Sequence, residues 1–316
     1  MPDLDRRRFL FVTGKGGVGK TTVCAALALA LAESGRRVLV AVMGAREGIS
    51  SLLGTPPLRA DITELRPGIF GVALSAGAAI REYGQMKLRS RVLAGAIFEN
   101  RFVQSFFAGA PGLKEWALLG KAWYHSTETV DGRPRFDTVL FDAPSTGHGL
   151  DMLRVPKVIL DLAPPGVLRA DAERAWHMFQ DPTKAGAVVV TLPEELPVNE
   201  TEELVQALRG ELELPIAALV VNGVRESIFD PRNRAELSKL VPQLPFGNGP
   251  GEPALAAGVR RAERERSQAE NQARLHALSL TEIELPWILG GAATDEALTT
   301  MKSHFAQSFA KSSPTS

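Results

Sequence analysis

Nine consecutive residues, Gly14-Lys15-Gly16-Gly17-Val18-Gly19-Lys20-Thr21-Thr22, bring together four glycines, two ammonium groups and two hydroxyls. Glycines in such a run accept backbone torsions that turn successive N–H groups inward onto one anion. The spacing Gly14-x-x-x-x-Gly19-Lys20-Thr21 is that of a phosphate-binding loop. In that pattern Lys20 reaches the β- and γ-phosphates of a nucleotide and the Thr21 hydroxyl can ligate Mg²⁺. The competing reading is a glycine-rich turn that binds nothing. An apolar strand before the run and a helix after it favour the loop, because the helix start adds free N–H groups and a positive dipole end.

A second acid fits the first motif. Thr138-Val139-Leu140-Phe141-Asp142 is an apolar strand ending in a carboxylate. An acid held there by a rigid strand can sit beside the Mg²⁺ shell. Asp142 could instead cap a helix before Gly147. Its pairing with a good phosphate loop favours the metal role. Cys24, the single cysteine, falls among Val23, Ala26, Leu27, Ala30 and Leu31 at core spacing and reads as a buried structural thiol.

These groups need a scaffold, and the apolar runs supply one. Phe9 to Thr13, Val38 to Val42, Ile69 to Leu74, Thr138 to Phe141, Ala187 to Thr191, Ala218 to Val221 and Leu278 to Leu285 read as buried strands. Helical stretches separate them, beginning with Lys20 to Ser34, which Gly35 ends. The alternation predicts an α/β fold with a doubly wound, mostly parallel sheet, covered by helices on both faces. Strands continue through most of the chain, so residues 1–310 are expected to form one domain, with 311–316 a flexible tail. Residues 78–126 read as a helical segment rich in large aromatics, and 242–253 as a loop rich in glycine and proline. Arg260 to His276 reads as a charged, solvated helix, and Arg6-Arg7-Arg8 as a solvated approach to the first strand.

Composition narrows the function. Lysine plus arginine equals aspartate plus glutamate at 36 each in 316 residues, so no bulk field gathers nucleic acid or anionic lipid. One cysteine excludes an internal disulfide and any zinc site of paired Cys-x-x-Cys motifs within one chain. No signal-peptide pattern follows the N-terminus, and the longest apolar run, Val23 to Ala32, is about half of a membrane span. A cytoplasmic protein that binds no nucleic acid and makes no stable membrane insertion is the expectation.

Lys15 is not needed to cradle a phosphate within its own chain. With this second lysine the loop resembles the deviant Walker-A superfamily of P-loop NTPases, which includes the arsenite-pump, tail-anchored-protein targeting, MinD-type and ParA-type ATPases. In that group the equivalent lysine reaches across a dimer interface to the partner's nucleotide. The resemblance therefore implies an ATP- and Mg²⁺-dependent sandwich, as a homodimer or a heterodimer with a paralogue. Asp142-Ala143-Pro144-Ser145-Thr146-Gly147-His148-Gly149 narrows it further. It resembles the switch II segment of the ArsA-like ATPases, matching at Asp142, Thr146, Gly147 and His148, with the proline one place early and glycine replacing the final threonine. Asn222 resembles the family's adenine-binding asparagine, although an Asn222-Gly223 turn explains it equally well. Pro286, followed by Gly290, resembles the loop that closes over the base.

The resemblance fails at one catalytic position. The family's second strand leads into an aspartate that orients the attacking water, whereas this chain reads Met43-Gly44-Ala45-Arg46-Glu47-Gly48. Glu47 is the nearest substitute, against a plain surface carboxylate beside Arg46. The implied function is an ATP-hydrolysing dimeric switch coupled to partner or cargo docking, with Lys15, Lys20 and Glu47 as its catalytic candidates. A switch that binds ATP without hydrolysing it, and a MinD- or ParA-type positioning ATPase, are the rivals. Phe98, Phe102, Phe106, Phe107, Trp116 and Trp123 suit either packing or a docking face that responds to nucleotide.

Overall fold

A computed structural model describes residues 4–44, 48–88, 112–243, 249, 251–291 and 294–312. Eight strands of these residues form one sheet: β1 (Phe9–Thr13), β2 (Val38–Met43), β3 (Thr63–Arg66), β4 (Ile69–Leu74), β7 (Thr138–Asp142), β8 (Ala185–Thr191), β9 (Ile216–Val224) and β10 (Glu282–Pro286). Two short strands, β5 (Thr129–Val130) and β6 (Arg133–Pro134), pair by themselves as a hairpin. The order across the large sheet is β10-β9-β8-β1-β7-β2-β4-β3. Every pairing in it is parallel except that of the edge strand β3 with β4.

The strand sequences explain why both faces are covered. In β1 all five residues are buried, with Phe9 and Phe11 in one apolar cluster and Leu10 and Val12 in the other. A period of two with no polar partner leaves neither face fit for water. The Phe9 cluster is closed by α4 (Leu113–Thr127), α5 (Thr146–Leu162), α6 (Val167–Gln180) and α7 (Glu195–Gln206). The Leu10 cluster is closed by α1 (Lys20–Glu33), α2 (Ile49–Leu53) and α10 (Asp295–Ser312). Three further helices, α3 (Ala76–Leu88), α8 (Pro231–Ser238) and α9 (Glu252–Ala277), complete the described helices longer than a single turn of 3₁₀ or π geometry.

α1 is buried almost all round, from Val23 through Leu31, and α10 lies against it with Leu298, Met301 and Phe305 in the same core. Gly35, at φ +85°, turns the chain out of α1 and back into β2. This burial pushes the Cys24 thiol well up, with the nearby Asp142 charge adding to it, so the thiol is inert.

Four expectations need correction. β3 is an unforeseen edge strand: Thr63-Glu64-Leu65-Arg66 is polar and half-exposed and carries no apolar run. The last strand begins at Glu282, because Leu278 caps α9 and Ser279 turns through φ +52°. α9 starts at Glu252, inside the expected loop, and is not solvated all round: Ala256, Val259, Ala262, Glu265, Asn271 and Leu275 form a buried face. Arg7 is no solvated residue either, being 1% exposed with its Nη1 donating to the Ala185 carbonyl at 2.6 Å. Arg7 leads into β1 in the middle of the sheet, where its head finds a backbone acceptor on the neighbouring β8.

Candidate functional site

β1 lies between β7 and β8 in the middle of the sheet, so the loop that leaves it emerges at the centre of the sheet's C-terminal edge. Gly14, Gly17 and Gly19 have φ of +147°, +87° and +90°. Gly14 has no alternative, since a Cβ there would stand 2.1 Å from the Val190 carbonyl oxygen. Gly19 caps α1 without a side-chain hydrogen bond, leaving the first N–H groups of the helix without a side-chain partner. Lys20 folds back over the loop, its Nζ donating to the Gly14 carbonyl at 3.0 Å and the Lys15 carbonyl at 2.9 Å. Burial lowers its ammonium pKa, and the Asp142 carboxylate partly restores it. The result is a half-buried cation held against two carbonyls of the loop.

Thr21 and Asp142, far apart in sequence, meet here. The Thr21 hydroxyl donates to Asp142 Oδ2 at 2.7 Å. Asp142 Oδ1 is buried with no hydrogen-bond partner among the described residues. Burial pushes the Asp142 carboxyl up, against the pull of the Thr21 hydroxyl and the Lys20 charge. A hydroxyl and a spare carboxylate oxygen are hard donors of the kind Mg²⁺ takes alongside phosphate oxygens and water. The pair fits that ion.

Lys15 is engaged differently. Its Nζ lies 2.7 Å from Glu200 Oε1, on α7 of the same chain. Glu200 Oε2 also accepts a hydrogen bond from the Thr146 hydroxyl at 3.1 Å. Thr146 begins α5, whose cap Ser145 makes no side-chain cap and faces Gly16 of the loop. Sequence reasoning passed over Glu200. It is one of five acids between 194 and 203, and nothing local marks it out. Gly149 also gains a reason: a Cβ there would meet the Thr13 hydroxyl at 3.1 Å and the Pro144 carbonyl at 3.2 Å. The glycine that departs from the family's switch segment is thus matched by close packing against β1.

Asn222 and Pro286 lie on neighbouring strand ends. Asn222 Nδ2 donates to the Val18 carbonyl at 2.9 Å and would touch any Cβ on Gly19, while its Oδ1 is buried with no partner among the described residues. Gly223, next to it, does turn through φ +72°. Pro286 pairs with Val224 after a one-residue shift in the ladder, and the following Trp287 lies exposed under the Arg225 guanidinium at 3.9 Å. The loop after β9 is tied to α9 by Glu265, which accepts from Ile228 N at 3.0 Å and the Ser227 hydroxyl at 2.7 Å and pairs with Arg261 at 2.7 Å. Burial pushes the Glu265 carboxyl up, but these bonds outweigh it and hold it at about 2.

Other candidates fall elsewhere. Glu47 and the aromatics Phe98, Phe102, Phe106 and Phe107 lie outside the described residues. Trp116 and Leu119 are buried in the sheet core, as the packing reading expects. His125 is buried against Glu128 at 3.1 Å, a structural contact, and His148 is exposed.

Comparison with known proteins agrees with this geometry. Residues 7–163 match the model of a family described as anion-transporting ATPase. A protein of Mycobacterium tuberculosis named ATPase BagA is 32% identical over 308 residues, covering 90% of this chain and 88% of its own. ATPase ARSA2 of Chlamydomonas reinhardtii is 27% identical over 269 residues, covering 70% and 69%. ATPase GET3 of Kluyveromyces lactis is 23% identical over 259 residues, covering 71% and 74%.

Proposed function

The chain belongs to the anion-transporting ATPase family, whose activity is ATP hydrolysis, and we propose that it performs it as a Mg²⁺-dependent dimeric switch that couples nucleotide to partner docking. The loop amides and Lys20 would hold the β- and γ-phosphates, and the oxygens of Thr21 and Asp142 would hold the metal. Asn222 Oδ1 and Pro286 would receive the adenine. Mg²⁺ held there would supply positive charge to the phosphate oxygens during phosphoryl transfer.

The observation that carries the reading is the meeting of Thr21 with Asp142 at 2.7 Å, with a buried carboxylate oxygen left over beside the Lys20 ammonium. A hydroxyl and a carboxylate oxygen without a partner among the described residues support a metal–phosphate site here. Lys15 is compatible with the sandwich, because Lys20 already serves its own loop while Lys15 is held only by a half-exposed ion pair to Glu200. Glu47, in the segment after β2, remains our candidate for orienting the water.

α10 weighs against a membrane-positioning role. Its apolar residues Leu298, Met301 and Phe305 are 0–2% exposed against α1, so they offer no lipid-facing stripe. Among the described residues no helix is long and apolar enough to cross a membrane.

The test is light scattering with and without Mg·ATP, beside steady-state phosphate release. Wild type should dimerise with nucleotide and release phosphate, Lys15→Ala should remain monomeric, and Glu47→Gln should dimerise but turn over slowly. A wild type that releases phosphate while monomeric at every ATP concentration would end the sandwich reading.

A further inference from the structure

One carboxylate holds two groups of the ATP site at once. Glu200 binds Lys15 through Oε1 at 2.7 Å and Thr146 through Oε2 at 3.1 Å, so it bridges the phosphate loop and the first residue of α5. Its neighbours on α7 serve another purpose: Asn199 and Glu202 both accept from Arg274 on α9, each at 2.7 Å. Glu200 instead faces the loop. The Lys15 ammonium, opposed by burial and helped by the Thr146 hydroxyl, holds its carboxyl below the ordinary range, so the bridge is charged at neutral pH.

The bridge is built to open. Lys15 and Glu200 side chains are 28% and 39% exposed, and ion pairs so open to water hold only about two- to fivefold over release. A triphosphate offers several charges and more acceptor oxygens than one carboxylate, so it competes well for the same ammonium. Loss of Lys15 does not strand Glu200, whose carboxylate keeps the hydroxyl of Thr146, the first residue of α5, where a helix favours negative charge.

We propose that Glu200 is a positioning residue that holds Lys15 in its own chain and releases it to the partner subunit's nucleotide, setting the ATP concentration at which two chains close. This inference rests on the dimeric sandwich proposed above. Before closure Lys15 is neutralised in cis, which lowers its attraction for a partner's phosphate; after closure Glu200 keeps only its bond from Thr146. Each protomer contributes one such bridge, so the closing dimer breaks two.

The experiment is a titration of Mg²⁺ and a non-hydrolysable ATP analogue, with dimerisation followed by light scattering, for wild type, Glu200→Gln and Glu200→Asp. Glu200→Gln keeps an acceptor for Thr146 and removes the charge that holds Lys15. It should reach half-maximal dimerisation at an analogue concentration about two- to fivefold lower than wild type. Glu200→Asp, which keeps the charge, should lie between the two. The gap between wild type and Glu200→Gln should narrow as NaCl is raised, because a half-exposed pair is screened whereas a packing defect is not. An unchanged or higher midpoint for Glu200→Gln, with wild type still dimerising, overturns the release role and leaves the sandwich standing. Wild type that stays monomeric at saturating analogue overturns both.

Discussion

At the C-terminal ends of β1 and β7, nine consecutive residues and one strand-end acid supply nearly every polar group of the site. At the ends of β9 and β10, by contrast, the polar groups come from Asn222, Arg225 and Glu265, spread over more than forty residues. The first region is fixed by backbone: positive-φ glycines, a carbonyl 2.1 Å from where a Cβ would stand, and a lysine bonded to its own loop. The second is fixed by side chains that reach between elements, such as Glu265 tying the β9 loop to α9 and Asn222 reaching under the phosphate loop. A backbone-built site tolerates no change of residue at a few positions. A side-chain-built one should yield by degrees.

Four substitutions test that contrast. Gly14→Ala should be the most damaging to folding, costing at least about 3 kcal/mol in urea unfolding, because the new methyl collides with a carbonyl rather than a mobile side chain. Lys20→Ala should fold and yet release phosphate about 100-fold more slowly than wild type, as expected for loss of one preorganised charge at a reacting group.

On the other side, Glu265→Gln should lose about 2 kcal/mol, since the amide is a poorer acceptor for the Ile228 and Ser227 donors and loses Arg261. The same residue gives a pH test. Its folded carboxyl titrates at about 2, below the ordinary 4.5, so its contribution is complete above that ordinary value. The contribution is lost as pH falls toward 2, and wild type should therefore lose stability through that window more steeply than Glu265→Gln. Asn222→Ala should have the smallest effect: about five- to tenfold weaker ATP binding, measured by titration calorimetry, with less change for GTP. Equal losses for ATP and GTP would confine Asn222 to supporting the loop.

The same contrast governs what could be read from the sequence. The phosphate loop, Asp142 and seven of the eight sheet strands were legible because each is a local pattern: a glycine spacing, an unbroken apolar run or, in β10, an alternation of apolar and charged residues. β3 was not, since an edge strand that is half in water needs no apolar run and takes its identity from pairing with β4. Arg7 was misread for a related reason. Three arginines in a row suggest solvent, and only the packed sheet shows that the middle one has a carbonyl to meet. Glu200 lay hidden among similar acids, because its importance comes from Lys15 and Thr146, separated from it by 185 and 54 positions. The Gly149 departure, which weakened the family resemblance on paper, turned out to follow from the Thr13 hydroxyl packed beneath it.

The central claim is that each nucleotide uses Lys20 from its own chain and Lys15 from the partner. Mixing Lys15→Ala with Lys20→Ala tests it most directly, by Mg²⁺-dependent phosphate release from each variant alone and from the mixture. In a mixed dimer, the Lys15→Ala chain keeps its own Lys20 and receives Lys15 from its partner, which rebuilds one complete site. Activity should therefore be near background for each variant alone and return on mixing. A mixture as inactive as its components, with mixed dimers present, would place both lysines in one chain and contradict the account.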